Sequence, residues 1–307
     1  MSKKVLVATV KPFAPEAVEQ IRKVLDAAGY ELRLLESYSD AAELHQAVAD
    51  VDALIIRSDK VTPAVLSAAG DLKIVVRAGA GYDNVNLEAA TAKGIVVMNT
   101  PGQNSNAVAE LAFGLMLNLA RRHYTGKAGT ELRGKKLGIH AYGNVGRCVA
   151  TIAKGFGIIC HAYDPYIDDS IMMKDGVIPV KTREDLYRIC DYVSLHIPAV
   201  AETIRSIDYD LMSQMKKGAA LINTARAEVI DEPSLLRIME SRSDWLYASD
   251  IAPECKDELM AKYPLRCFFT AKKMGAQTAE ANINAGIAAA QQIVGFFERG
   301  DTTFQVN

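Results

Sequence analysis

From Lys4 onward, short runs of β-branched and aliphatic residues alternate with stretches whose apolar positions recur every three or four residues. Lys4–Val10 reads as a buried strand and Pro15–Ala28 as an amphipathic helix closed by Gly29. Tyr30–Leu35, Asp52–Ser58, Leu72–Gly79 and Ile95–Asn99 read as four further strands. A helical pattern then runs from Asn106 to about His123, followed by a loop over Thr125–Thr130. A second series of strands is expected at Lys135–Ala141, Ile158–Tyr163, Tyr192–Ile197, Ala219–Asn223, Tyr247–Asp250 and Phe268–Thr270, with a last helix from Ala279 to Phe297. Strands separated by a helix's length of chain pair in parallel, so the fold class is α/β with two doubly wound parallel sheets. Six strands in the second series is the count of a dinucleotide-binding sheet. No low-complexity linker separates the halves, which predicts domains joined by the long helices, with a ligand cleft between them. The expected boundaries are 1–98 with 283–307 for one domain and 99–282 for the other.

Length and charge narrow the picture. The 307 residues suit two domains, and 35 Lys+Arg against 37 Asp+Glu leave a formal charge of −2, which speaks against nucleic acid as a partner. The apolar run at Val5 to Val10 is stopped by Lys11, and Glu110 and Asn118 interrupt the most apolar helix, so neither a signal peptide nor a membrane span is expected. Cys148, Cys160, Cys190, Cys255 and Cys267 form no C-x-x-C pair. Zinc, other metals and a disulfide framework are therefore not expected, and a reducing cytoplasm is.

Chemistry enters at Lys135-Lys-Leu-Gly-Ile-His-Ala-Tyr-Gly-Asn-Val-Gly146, an apolar strand running into a tight turn and then the helix Arg147–Phe156. Backbone N–H groups at a helix N-terminus approach a pyrophosphate closely only where no Cβ intervenes, and Gly143-Asn144-Val145-Gly146 provides that. The first glycine of the G-x-G-x-x-G pattern is Ala141 here, which holds such a turn if its φ stays negative. Alone, the turn also describes an ordinary strand–helix connection. The next strand, however, ends in Ala162-Tyr-Asp164-Pro, with its acid 18 residues past Gly146. That is close to the ~20-residue spacing of the carboxylate that binds the adenosine ribose hydroxyls. Such a carboxylate repels a 2′-phosphate, and no arginine follows it directly, so NAD is favoured over NADP.

Gly79-Ala-Gly-Tyr-Asp-Asn84, Asn99-Thr-Pro-Gly-Gln-Asn104 with Val108-Ala-Glu110, Ser194-Leu-His-Ile-Pro198, Asn223-Thr-Ala-Arg226 and Gly275-Ala-Gln-Thr-Ala-Glu-Ala281 follow in order along the chain. Together they resemble the D-isomer-specific 2-hydroxyacid dehydrogenases, over nearly the whole chain and in a short form without C-terminal regulatory domains. The resemblance implies a flavodoxin-like substrate domain, a Rossmann NAD-binding domain, NAD as cofactor and a homodimer formed through the NAD-binding domain. It also implies NAD-dependent oxidation of D-3-phosphoglycerate to 3-phosphohydroxypyruvate in serine biosynthesis, with no inhibition by serine. Carried over residue by residue, Arg226 holds the substrate carboxylate and polarises the carbonyl with its planar fork, although a loop arginine is also an ordinary surface residue. Asp250 faces the nicotinamide carboxamide, Thr224 and Ala225 line the same pocket, and Gly275 joins them. His196, Ile197 and Pro198 line the cofactor, so His196 is not read as the base. At the strand ends of the first domain, Arg57-Ser58 and Ala78-Gly79, with Asn104, are expected to hold the carboxylate and phosphate of a small acid. Lys60 beside them reads more readily as a solvated loop charge than as a phosphate ligand.

The pattern breaks at the acid/base. Members of that family place a histidine in a Pro-His-x-Gly turn before the Gly-Ala-x-Thr-x-Glu-Ala helix. Here the stretch is Thr270-Ala-Lys-Lys-Met-Gly275, and the five histidines, His45, His123, His140, His161 and His196, all precede it. Counting back from Gly275 puts Lys273 at the histidine position, and counting forward from Thr270 puts Lys272 there. A lysine accepts a proton only when neutral, which requires its ordinary pKa of about 10.4 to be lowered by burial or neighbouring cations. The family's acid falls by spacing on Cys255, with Glu254 the nearest carboxylate. Two other functions remain open: a hydroxypyruvate or glyoxylate reductase on the same scaffold, and an NAD-sensing binding protein that has lost catalysis.

Overall fold

The computed structural model describes residues 2–307 and divides into two units. One runs through Asn104 and resumes at Gln277–Asn307; the other is Ser105–Ala276. Both crossings fall at helix starts, six residues later and six residues earlier than expected from the sequence. At the second, Thr278 caps the last helix, Ala279–Arg299, by accepting the Ala281 N–H on its hydroxyl.

The first unit is a five-stranded, wholly parallel sheet: β1 (Lys4–Thr9), β2 (Glu31–Glu36), β3 (Ala53–Ile56), β4 (Ile74–Arg77) and β5 (Val96–Asn99), in the order β2-β1-β3-β4-β5. This is the doubly wound order whose ligands sit beyond the carboxyl ends of the strands. The unbroken apolar runs follow from burial of both faces. Val5 and Val7 pack toward α1 (Pro15–Ala27) and the last helix, whereas Leu6 and Ala8 pack toward α2 (Ala41–Ala47) and α3 (Pro63–Ala68). The last helix lies close against α1, where a Cβ on Gly286 would come within 2.8 Å of Ile21 Cδ1. The short α4 (Leu87–Ala92) leads into β5.

The second unit opens with α5 (Ser105–Ala120). The helix stops three residues short of His123 because Arg122, His123 and Tyr124 turn left-handed, with φ of 51°, 55° and 55°. Its sheet holds β6 (Lys136–His140), β7 (Ile159–Tyr163), β8 (Ile178–Pro179), β9 (Tyr192–Leu195), β10 (Ala220–Asn223), β11 (Leu246–Ser249) and β12 (Cys267–Phe269). They are ordered β12-β11-β10-β9-β6-β7-β8, all parallel. The sheet therefore has seven strands where six were expected, because β8 is a two-residue strand on the β7 edge, too short to show a period. The intervening helices are α6 (Asn144–Gly155), α7 (Asp169–Lys174), α8 (Arg183–Ile189), α9 (Tyr209–Ser213), α10 (Glu232–Ser241) and α11 (Lys256–Lys262). Strand order reverses between β6 and β9, which makes the carboxyl end of β6 the switch point where a dinucleotide binds. Among the described residues, no helix is long and apolar enough to cross a membrane.

Candidate active site

The turn from β6 into α6 is fixed by two residues that the glycine pattern does not contain. Tyr142 is fully buried, donates its N–H to Asp164 Oδ2 at 2.8 Å and its hydroxyl to Asp175 Oδ2 at 3.0 Å. Asp164 takes the Tyr166 N–H on its other oxygen, also at 2.8 Å. The expectation of a negative φ at Ala141 is wrong: its φ is +78°, the glycine-like conformation, which the flanking hydrogen bonds impose on a residue with a Cβ. Gly146 is required by contact, since a Cβ there would lie 2.4 Å from the Ala141 carbonyl oxygen. Gly143 caps α6, and a Cβ there would meet no protein atom within 4 Å. Its bareness has no internal cause and suits a ligand lying on the helix N-terminus, between Asn144-Val145 and the Asp164 carboxylate.

Three strands along, β10 and β11 carry the other half of this edge. Asn223 shapes the turn after β10 by accepting the Ala225 N–H (3.0 Å) and donating to the Arg226 carbonyl (2.9 Å). The half-buried Arg226 donates from Nη1 to the Ala225 carbonyl at 2.8 Å, leaving the rest of its fork for a carboxylate. Asp250 follows β11 and is almost wholly buried. Its Oδ2 accepts the Gly275 N–H (2.7 Å) and the Met274 N–H (3.2 Å), while Oδ1 is shielded from water and has no protein partner. Thr224 Oγ1 is orphaned in the same way. Buried polar atoms without partners are costly, and an acceptor and a hydroxyl left this way suit a polar ligand group such as a carboxamide.

His196 begins the loop after β9, its N–H donated to the His140 carbonyl at 2.9 Å. Both its ring nitrogens are shielded and unpartnered, and its pKa is pushed down to about 3, by burial first and then by His140. It is a neutral ring beside Ile197 and Pro198, unsuited to proton transfer near neutral pH. His140 is likewise lowered to about 4, by burial first and then by Arg183, and its Nδ1 lies 3.2 Å from the Tyr187 hydroxyl.

The segment 270–275 crosses the end of β11. Thr270 Oγ1 donates to the Asp250 and Lys272 carbonyls (3.2 and 2.6 Å), so Asp250 clamps both ends of the stretch that holds the lysine pair. Lys272 and Lys273 are both exposed within the unit. Glu254 is exposed too, no ion pair joins it to Lys272 among the described residues, and its N–H is taken by Glu232.

In the first unit, the candidate residues meet at the ends of β3 and β4. Arg57 stacks on Phe13, 5.0 Å from the ring centre, and donates to the Lys11 and Pro12 carbonyls (3.1 and 3.2 Å) and to Asn282. Much of the fork expected to hold a phosphate is therefore engaged with its own unit, and burial lowers the Arg57 pKa. Asn84 donates to the carbonyls of Arg57 (3.2 Å) and Asp59 (2.6 Å), fixing the turn that presents Ser58 and Lys60, both exposed. A second arginine was missed: Arg77 Nε donates to the Arg57 carbonyl at 3.0 Å, and its guanidinium lies over Gly79, whose φ is +146°. A Cβ on Gly79 would fall 1.6 Å from Arg77 Nη1. The clue was Arg77 immediately before Ala78-Gly79, at the end of an apolar strand. Ala78 is buried, and half-buried Asn104 closes this part of the unit.

Comparison with known proteins places the chain in a family. Residues 5–307 match the model of the D-isomer specific 2-hydroxyacid dehydrogenase catalytic domain, and the chain belongs to that family. A human D-3-phosphoglycerate dehydrogenase is 36% identical over 300 residues, covering 93% of this chain and 56% of that protein, so this chain spans little more than half that relative's length. A hydroxypyruvate reductase of Thermotoga maritima is 35% identical over 280 residues, covering 86% and 90%. Among solved structures, the NAD+-bound 3-phosphoglycerate dehydrogenase of Entamoeba histolytica is 44% identical with a TM-score of 0.89, covering 100% of this chain and 99% of that one. The bare Gly143, the tethered Asp164 and the orphaned Asp250 Oδ1 fit NAD at the second unit's strand ends.

Proposed function

We propose that this chain oxidises D-3-phosphoglycerate to 3-phosphohydroxypyruvate, with NAD as hydride acceptor, and thereby feeds serine synthesis. The observation that carries the proposal is the Asp250 clamp, which fixes Gly275 two residues after a lysine and sets an unpaired carboxylate oxygen on the same side chain. Bound NAD supplies a carbon that takes the hydride from C2 of the substrate. Arg226 holds the substrate carboxylate in bidentate fashion and draws charge toward the carbonyl as it forms. The C2 hydroxyl proton passes to a lysine amine in its neutral form, in the role the family gives to histidine. Lys273 is favoured over Lys272 because it counts back without a gap from Gly275, the start of the Gly-Ala-x-Thr-x-Glu-Ala motif, whose N–H Asp250 holds. In the first unit, the Arg57-Ser58 turn, Lys60 and Arg77 beside Gly79 supply an anion-binding strand edge suited to the phosphate. Five free cysteines accord with a reducing cytoplasm, and a homodimer through the Ser105–Ala276 unit is part of the same reading.

The test is initial-rate turnover of D-3-phosphoglycerate against unphosphorylated D-glycerate, repeated in Arg57→Ala. A preference for the phosphorylated acid that collapses in the variant supports the proposal. The Thermotoga maritima relative favours a second reading, reduction of hydroxypyruvate. Equal turnover with and without the phosphate would select it.

A further inference from the structure

Glu232 is the first residue of α10, directly after the cap residue Asp231. The two carboxylates face different partners. Asp231 accepts the Ser234 N–H (3.1 Å) and Arg205 Nε (2.7 Å). Glu232 reaches instead to a distant loop, where Oε1 accepts the Glu254 N–H and Oε2 the Cys255 N–H, each at 2.9 Å. One side chain thus bridges two successive amides, 22 and 23 residues further along the chain. That loop joins Asp250 to α11, which Cys255 caps. Its other end is pinned by Ser249, whose hydroxyl donates to the Ile251 carbonyl (2.7 Å) and accepts the Ile251 N–H (3.0 Å). Asp250 therefore stands on a short span held at one end by Ser249 and at the other by Glu232.

Cys255 is also the position where the family resemblance places an acid. Its thiol is half-buried and its pKa is raised to about 12, by burial first, then by the Glu232 hydrogen bond and charge, with Glu258 adding in the same sense.

We propose that Glu232 is a positioning residue of the dehydrogenase: it ties the Ile251–Cys255 span behind Asp250 to the first turn of α10 and keeps Cys255 held against that turn. The proposal rests on the dehydrogenase reading above.

The experiment is site-resolved iodoacetamide labelling of wild type and Glu232→Gln at about pH 8, read by mass spectrometry. The kcat and the Kd for NAD are measured on the same preparations. The expected result is Cys255 labelled roughly tenfold faster in the variant, with kcat lower by roughly tenfold and the Kd for NAD higher by a few fold, because Asp250 rests on the same span. Unchanged labelling of Cys255, or an unchanged kcat, overturns the proposal. If Glu232→Gln does not fold, Glu232→Asp keeps the charge but shortens the reach; labelling then rises and kcat falls, and a full kcat overturns the proposal. Failure of the underlying reading looks different. Lys272→Ala and Lys273→Ala would both keep full rate, while the labelling difference at Cys255 persisted.

Discussion

The Asp250 carboxylate accepts the Gly275 N–H at 2.7 Å with one oxygen, and the other oxygen is shielded from water without a protein partner. A single side chain thus fixes the segment carrying the lysine pair and leaves a charged acceptor for a ligand. Asparagine keeps the shape but supplies only one acceptor. Whichever way its amide faces, either the Gly275 contact or the ligand contact is lost. Asp250→Asn is expected to weaken NAD binding by roughly 1.5–3 kcal/mol, the range for a hydrogen bond to a charged group. Fluorescence titration of NAD checks it, and an unaltered Kd would mean that Oδ1 faces no ligand.

The lysine pair separates by the same geometry. Because Gly275 is anchored, Lys273→Ala is expected to lower kcat by roughly a hundredfold, the usual scale for a lost general base, and Lys272→Ala by no more than a few fold. Both should bind NAD as the parent does. Steady-state rates with matched Kd measurements decide it, and the reverse ranking would move the register by one residue.

The alternation of strands and helices made both parallel sheets legible, because strands buried on both faces read as unbroken apolar runs. Local devices were less visible. β8 is only Ile178–Pro179, and the helix expected to reach His123 is ended by the left-handed turn at Arg122–Tyr124, which no glycine or proline announces. At the site, Gly146 and Asp164 followed from spacing. The roles of Asn223 and Glu232 did not, since each acts through a side chain folded onto a neighbouring or remote backbone, nor did that of Tyr142, whose amide and hydroxyl meet the Asp164 and Asp175 carboxylates; only the tertiary structure creates these contacts. Glu254 was chosen for its charge and proximity in sequence, but its side chain is exposed and its amide is the part engaged.

The phosphate turn carries opposite sensitivities at two positions. Ala141 at φ +78° bears a left-handed conformation that costs an alanine about 1–2 kcal/mol, partly offset by the greater freedom glycine has when unfolded. Ala141→Gly is therefore expected to raise stability by about 0.5–1 kcal/mol while leaving NAD affinity nearly unchanged. Gly146→Ala drives a Cβ to 2.4 Å from the Ala141 carbonyl, against backbone that cannot yield cheaply, so NAD binding should be lost. Thermal melts with and without NAD report both. A destabilised Ala141→Gly would show that the turn is not strained.

In the first unit, Gly79→Ala tests whether Arg77 serves the substrate. The new Cβ would displace the guanidinium that now lies 1.6 Å from its position. The displaced atoms are the far end of a flexible side chain, but φ of +146° at Gly79 is strained for any residue with a Cβ, so stability should also fall, by roughly 1–3 kcal/mol. The expected effect is a KM for D-3-phosphoglycerate higher by roughly tenfold, with the Kd for NAD unchanged. An unaffected KM would remove Arg77 from the substrate site.

Acid sensitivity follows from the two neutral imidazoles behind the phosphate turn. Burial, joined by Arg183, lowers His140 to about 4, and burial, joined by His140, lowers His196 to about 3. In the unfolded chain both titrate near 6.5, so between that pH and their folded values the unfolded state binds protons that the folded state does not. Stability is therefore complete above about pH 7 and falls as the pH drops through 6.5, by up to about 1.4 kcal/mol per pH unit for each imidazole. The window between about pH 6.5 and 5 isolates this effect, since most carboxylates remain ionised there. Urea midpoints across that window should fall in the parent and fall less steeply in His140→Gln, which removes one titrating ring; His161, lowered by burial first and then by Lys136, contributes in the same sense in both proteins. A parent midpoint that stays level over the same range would mean that at least one imidazole accepts its proton without leaving the folded structure.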